Sequence, residues 1–130
     1  YDVLDVNDER NYLEATASSM FAYVLLKGAR LGYFDNDLKE AGIKAYKGIL
    51  KQFVRVNADK TISLTRCCEV SGLGPGPGPY VKKPNYRRDG SFEYYISEPI
   101  RDNDGKGVGP FIWASLEMEK LGYNVETLYK

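Results

Sequence analysis

Asn11-Tyr-Leu-Glu-Ala-Thr-Ala-Ser-Ser-Met-Phe-Ala-Tyr-Val-Leu-Leu-Lys-Gly-Ala-Arg-Leu31 decides the fold class. Leu13, Ala17, Met20, Val24, Gly28 and Leu31 recur at steps of three and four, the spacing of a helix with one buried stripe. Asn11 is placed to cap this helix, and the small run from Ala15 to Ser19 lets another element approach closely. Gly32 closes it. Asp35 or Asn36 then caps a second helix with the stripe Leu38, Ala41, Ala45, Ile49 and Phe53, flanked by Tyr46 and Leu50. The short link between them makes an antiparallel helical hairpin.

Beyond Asn57-Ala58-Asp59-Lys60 the period drops to two. Ile62, Leu64, Cys68 and Val70 alternate with Ser63, Thr65, Cys67 and Glu69, with Arg66 as the mismatch on the apolar face. A second alternating run after Asp89-Gly90 puts Phe92, Tyr94 and Ile96 on one side, and the two runs are expected to pair as an antiparallel ribbon. Between them, residues 71–88 open with Ser71-Gly-Leu-Gly-Pro-Gly-Pro-Gly-Pro79. That segment reads as a loop, because its prolines lack N–H groups and its glycines add chain entropy. A last helix is expected from Pro110 to Leu121. Phe111, Ile112, Trp113, Ala114, Leu116 and Met118 lie nearly all around it, which implies burial on most sides.

Composition narrows the function. The 130 residues carry 18 Lys and Arg against 18 Asp and Glu, so no net field draws the chain to nucleic acid or to an anionic membrane. No run reaches the length of a membrane span. Histidine is absent, which removes Ser-His-Asp and Cys-His catalysis and His-ligated metals from this chain. The two cysteines, Cys67 and Cys68, are neighbours and cannot build a disulfide framework; in an extended strand they point to opposite faces. The chain opens on Tyr1 rather than Met, which suggests a piece of something larger.

Asp104-Gly105-Lys106-Gly107-Val108-Gly109-Pro110 is the segment that suggests a ligand site. Glycines let backbone N–H groups come close to a ligand, and Pro110 suits a first helical turn, so an anion is expected near Lys106. The turn is no P-loop, since Ile100 stands where the first glycine belongs and Gly107 follows the lysine. It is no calcium loop either, because Ile100 and Phe111 would occupy the end ligand positions. Pro77 likewise spoils Gly72-Leu-Gly74 as a dinucleotide fingerprint. Glu14, Glu69, Asp89, Glu93, Glu98, Asp102 and Asp104 remain as carboxylates near element ends. Glu14 divides evenly between a helix-start role and a pocket-lining one.

Several stretches taken together resemble the C-terminal part of a known enzyme family: Asn11 to Tyr23, Gly72-Leu-Gly74, Arg88-Asp-Gly-Ser-Phe-Glu-Tyr-Tyr-Ile-Ser-Glu-Pro99, and Asn103 to Phe111. These are the unsaturated rhamnogalacturonyl hydrolases of glycoside hydrolase family 105, related to the unsaturated glucuronyl hydrolases of family 88. The resemblance implies a mainly α fold, the C-terminal portion of an (α/α)6 six-hairpin barrel with a small antiparallel β-ribbon between the second and last helices. Residues 1–130 would then form a single partial domain. It implies hydration of the C4=C5 double bond of a 4,5-unsaturated galacturonic acid, released from pectic oligosaccharides, with no metal or organic cofactor.

The family's acid/base aspartate belongs to N-terminal helices that this chain lacks, so no catalytic residue is expected here. The substrate-binding positions that carry over are Glu14, Ser18 and Met20 at the start of the first helix, and Lys106 with Gly107 in the turn before the last. The implied partner is an unsaturated uronate oligosaccharide rather than nucleic acid or membrane, and the segment is expected to self-associate through apolar faces left uncovered. A non-catalytic helical module and a carbohydrate-binding module are the competing readings. The compartment, bacterial cytoplasm or periplasm, stays open.

Overall fold

A computed structural model of the chain describes residues 1–75 and 87–129. Three long helices carry it: α1 (Ala15–Arg30), α2 (Asn36–Phe53) and α4 (Gly105–Lys120), with the short α3 (Phe92–Ser97) before the last. Six short strands lie among them: β1 (Val54–Val56), β2 (Ile62–Leu64), β3 (Cys67–Cys68), β4 (Gly74–Pro75), β5 (Arg87–Arg88) and β6 (Ile100–Arg101). A 3₁₀ turn spans Val125–Tyr129. The mainly helical character with small antiparallel pairs is as the sequence predicts.

The first helix begins later than expected and is capped differently. Glu14, not Asn11, is its N-cap, and the Glu14 carboxylate accepts from the N–H groups of Thr16 and Ala17. Asn11 instead ties down the preceding segment, its Nδ2 donating to the carbonyls of Val3 and Val6. Gly32 does end the helix, in the left-handed region at φ 77°, where a side chain is strained. Asp35 caps α2 as expected.

The buried stripes are rotated from those read in the sequence. On α1 the fully buried positions are Ala15, Ser19, Ala22 and Leu26, whereas Met20, Val24 and Leu31 are exposed. Both sets step by three and four, so periodicity alone does not choose between them. Small side chains decide it, because they let backbones approach. At Gly42 of α2 an added Cβ would sit 3.0 Å from Leu25 Cβ and 3.2 Å from Leu26 Cγ. On α2 the core positions are Ile43, Tyr46, Ile49, Leu50 and Phe53, while Leu38 and Ala41 face solvent.

α1 packs against both α2 and α4. Leu26, Ile43, Tyr46, Ile49, Phe53, Phe111, Ala114 and Met118 form one cluster. Each large member contributes about 1.5–3 kcal/mol by leaving water. Tyr46 and Phe111 stack at 6.0 Å, and the Tyr46 hydroxyl donates to Ser115 Oγ at 2.8 Å. α4 is not buried on most sides as the sequence suggests. Phe111, Ala114 and Met118 point inward, but Ile112, Trp113 and Leu116 are about half exposed, since no described element covers that side.

The ribbon differs most from expectation. Val54–Val56 pairs with Ile62–Leu64 as a hairpin, Cys67–Cys68 pairs with Ile100–Arg101, and Gly74–Pro75 pairs with Arg87–Arg88, all antiparallel. The expected second strand, Phe92–Ser97, is a helix. Ser91 Oγ caps it by accepting from the N–H of Tyr94. Arg66 ends the first strand by adopting φ 62°. Cys67 and Cys68 are both buried, because protein covers each face of β3. Of the expected loop over 71–88, the flanks 74–75 and 87–88 pair with each other, and 76–86 lie outside the described residues.

Candidate functional site

Residues 64–68 hold two helix starts side by side. The N–H of Ala15, the first residue of α1, donates to the Arg66 carbonyl at 3.0 Å, and the Cys68 N–H donates to Glu14 Oε1 at 2.9 Å. The loop into α4 is fixed by Asn103, whose N–H meets the Leu64 carbonyl at 2.8 Å and whose Oδ1 accepts from the Leu64 N–H at 2.9 Å. The left-handed φ of Asn103, 59°, turns the chain into the helix.

Between these helix starts lies a cleft of about 640 Å³. One wall is α1, with Thr16, Ala17 and Met20. The other is α4, with Lys106, Gly109, Pro110 and Trp113. Asp2, Cys68, Val70, Ser71 and Tyr95 complete the lining. A second depression of about 530 Å³ within the first eleven residues brings together no comparable chemistry.

Three of the five candidate residues meet here. Glu14, Met20 and Lys106 line the cleft, whereas Ser18 and Gly107 do not. The Ser18 hydroxyl donates to the Glu14 carbonyl at 2.6 Å. Gly107 is packed behind the wall: a Cβ there would meet Cys67 Sγ at 2.7 Å and Thr16 Oγ1 at 3.0 Å. That glycine serves helix packing rather than ligand approach.

Glu14 is 3% exposed, and its carboxylate is committed to three backbone N–H groups, those of Thr16, Ala17 and Cys68. It caps α1 and borders the cleft at once. Met20 is 44% exposed.

The glycine-rich turn is the first turn of α4 and not a loop ahead of it. Pro110 stands sixth in the helix, where its missing N–H denies the Lys106 carbonyl the usual i+4 bond. The anion of this helix start is the protein's own. Asp104 Oδ1 accepts from the Lys106 N–H at 2.9 Å and from Lys106 Nζ at 2.8 Å. Those hydrogen bonds hold the Asp104 carboxyl below its ordinary value. The Lys106 side chain, 58% exposed, keeps two further N–H donors for a ligand.

The remaining candidate carboxylates are in structural use. Glu69 pairs with Arg101, Asp102 with Arg55, Glu93 with Arg10 and Glu98 with Arg88. Asp89 accepts from the Ser91 N–H. Burial and the Glu98 carboxylate push the Tyr94 phenol up to about 12. In the cleft lining, burial raises the Asp2 carboxyl; the Tyr12 hydroxyl opposes that shift and the Glu14 charge adds to it. Burial also raises the Cys67 thiol. Among the described residues the cleft thus offers one accessible cation, flat apolar surface, the committed Glu14 carboxylate and an Asp2 carboxyl whose Oδ2 is buried without a hydrogen-bond partner, an arrangement suited to holding a polar ligand with an anionic end.

Sequence reading missed Trp113, Tyr95 and Cys68 as lining residues. Lys106, Gly109, Pro110 and Trp113 follow the i, i+3, i+4, i+7 spacing of one helix face, a signal hidden by starting the helix at Pro110.

The profile of Glycosyl Hydrolase Family 88 matches residues 1–122. Protein Atu3128 of Agrobacterium fabrum and a 24.9 kDa protein in the picA locus of Rhizobium radiobacter are each 38% identical over 111 residues, covering 82% of this chain and 45% of theirs. The chain therefore spans a little under half the length of these relatives. A solved structure of a glycoside hydrolase from family 105 of C. acetobutylicum is similar at a TM-score of 0.77 and 49% identity, over 87% of this chain and 29% of that one.

Proposed function

The chain belongs to Glycosyl Hydrolase Family 88, and from that premise we propose that it forms one wall of the sugar pocket of a glycosidase that removes 4,5-unsaturated galacturonic acid from rhamnogalacturonan oligosaccharides. The observation that carries this reading is the cleft between the starts of α1 and α4, where Lys106 is the accessible cation among the described residues. In this proposal Lys106 takes the uronate carboxylate as a charge-assisted partner. Glu14 holds the wall in shape by fixing α1 to β3, and Met20 supplies apolar contact to the ring. The likeness to the family 105 structure supports placing this segment in an (α/α)6 barrel.

Hydration of the C4=C5 bond needs a group that protonates the double bond and activates water. Glu14 is committed to backbone N–H groups, and the family resemblance implies an acid/base aspartate on helices N-terminal to this segment, so that acid and base are assigned to residues beyond this chain. Loss of the double-bond absorbance of an unsaturated disaccharide tests it. The whole enzyme is expected to turn the sugar over and the 130-residue chain to leave it intact. Turnover by the chain alone would overturn the assignment of the acid and base.

A second reading has its own observation. Phe21, Val24, Ile112 and Leu116 expose apolar surface along α1 and α4, which favours self-association of the segment. Sedimentation equilibrium is expected to give a mass that rises with concentration. A monomer at all concentrations would exclude it.

A further inference from the structure

Two lining residues of the cleft carry a buried polar atom with no hydrogen-bond partner among the described residues, Asp2 Oδ2 and Thr16 Oγ1. Such atoms are costly, and a folded chain keeps few of them without a task. Thr16 Oγ1 belongs to the packed side, where a Cβ at Gly107 would come within 3.0 Å of it and 2.7 Å of Cys67 Sγ. Asp2 is different, since the residue is partly exposed and lines the cleft while one of its oxygens is buried.

The main chain holds Asp2 in place. Its N–H donates to the Tyr12 carbonyl at 2.8 Å. The next residue, Val3, exchanges hydrogen bonds with the Asn11 side chain: its N–H donates to Oδ1 at 3.3 Å and its carbonyl accepts from Nδ2 at 2.6 Å. Asn11 is itself buried. The Asp2 carboxyl is thereby delivered within the field of Glu14, on whose carboxylate three backbone N–H groups already converge.

We propose that Asp2 reads the ring of the bound uronate: its carboxyl hydrogen-bonds a ring hydroxyl while Lys106 holds the carboxylate. This rests on the reading of the cleft as a uronate site and adds to it the group that recognises the hydroxyls. A protonated carboxyl both donates and accepts, which suits a hydroxyl. An ionised one sets a second negative charge near Glu14 in a cleft whose accessible cation is Lys106, and repels the uronate. Burial, and after it the Glu14 charge, raise the Asp2 carboxyl above its ordinary 3.8, against the Tyr12 hydroxyl and the Tyr1 amino group. The other ionisable groups of the cleft are Cys68 on β3, Tyr95 on α3 and Lys106 on α4. Affinity for the uronate therefore falls as pH rises through the folded value of Asp2. Asp2 is a binding residue, since it touches substrate without taking part in proton transfer to the double bond.

The probes are unsaturated galacturonic acid and its analogues lacking the hydroxyl at C2 or at C3, titrated into the full chain by calorimetry between about pH 4 and 8. The natural chain is expected to bind the parent acid more tightly at the acid end, and to lose about tenfold there on removal of one of the two hydroxyls. Asp2→Ala should bind the parent about tenfold more weakly at the acid end and no longer distinguish that analogue, the coupling that marks a direct contact. Asp2→Asn, neutral at every pH and still both donor and acceptor, should hold the acid-end affinity across the range. Thermal melts should find Asp2→Asn at least as stable as the natural chain, since the buried Asp2 oxygen has no partner to lose. An equal loss on the analogue in Asp2→Ala and in the natural chain would overturn the proposal, as would an unchanged pH dependence in Asp2→Asn or a lowered melting midpoint, which would make Asp2 part of the scaffold. If the natural chain binds none of the sugars at any pH, the uronate reading itself falls and this proposal falls with it. Binding of the parent acid that neither Asp2 variant alters removes only the proposal.

Discussion

On the inner side of α4 a methyl group added at Gly107 would meet Cys67 Sγ at 2.7 Å, whereas on the cleft side one added at Gly105 or Gly109 would meet nothing within 4 Å. The three glycines stand two residues apart in one short run, yet they answer opposite demands. Gly107 is required because α4, β3 and α1 converge there. Gly105 and Gly109 border space that a ligand can fill. A glycine-rich run read as one motif is therefore two surfaces, a packed one continuing through Ala114 and Met118 and an open one continuing through Trp113.

The contrast is broken most severely by disturbing the packed side. Glu117 lies there, 3% exposed, and its carboxylate accepts from Arg30 and Lys120. Glu117→Ala removes the partner of Arg30, which is itself about a third exposed, and should cost about 2–3 kcal/mol in a denaturant melt. The same contact gives a pH dependence. Hydrogen bonding to Arg30, then to Lys120, holds Glu117 below its ordinary value of 4.5. The unfolded chain therefore takes up its proton first as pH falls. The stabilisation is complete above 4.5 and is lost as pH drops through the lower folded value. Thermal melts in acid should show that loss for the natural chain and a shallower one for Glu117→Gln.

Gly107→Ala comes next. Cys67 is fully buried and has no room to retreat, so the added methyl should destabilise by about 2 kcal/mol despite its better helix propensity. Gly105→Ala, smallest in size and opposite in sign, should stabilise by about 0.4–1 kcal/mol, since a Cβ there meets nothing within 4 Å and no proline follows it, as one does Gly109. Equal effects of the two substitutions would erase the distinction between the surfaces. Calorimetric melts of the pair are the comparison to make.

The helices are legible in the sequence because apolar steps of three and four sustained over sixteen residues fit a helical period and no strand period. Which side they bury is not. Ala15, Ser19 and Ala22 are small, so they contribute little to a hydrophobic stripe, yet their size is what brings α1 against its neighbours. The alternation of Phe92, Tyr94 and Ile96 is outweighed by Ser91, whose hydroxyl caps a short helix that Pro99 follows. At the site, Lys106 is legible from its glycine-rich turn and Glu14 as a carboxylate at a helix start, Met20 comes from the family resemblance alone, and the structure brings the three to one cleft. Trp113 reads as core because sequence does not say that the far side of α4 lacks a neighbour among the described residues.

Amide shift mapping of the whole chain, titrated with unsaturated galacturonic acid linked to rhamnose, tests the division into a packed scaffold and an open sugar wall most directly. The account predicts saturable shifts at Thr16, Cys68, Lys106, Gly109 and the Trp113 indole, none at Lys44 or Lys51 on the outer side of α2, and a vinyl proton of the sugar that persists throughout. Shifts confined to α2, no shifts at any sugar concentration, or disappearance of the vinyl proton would contradict it.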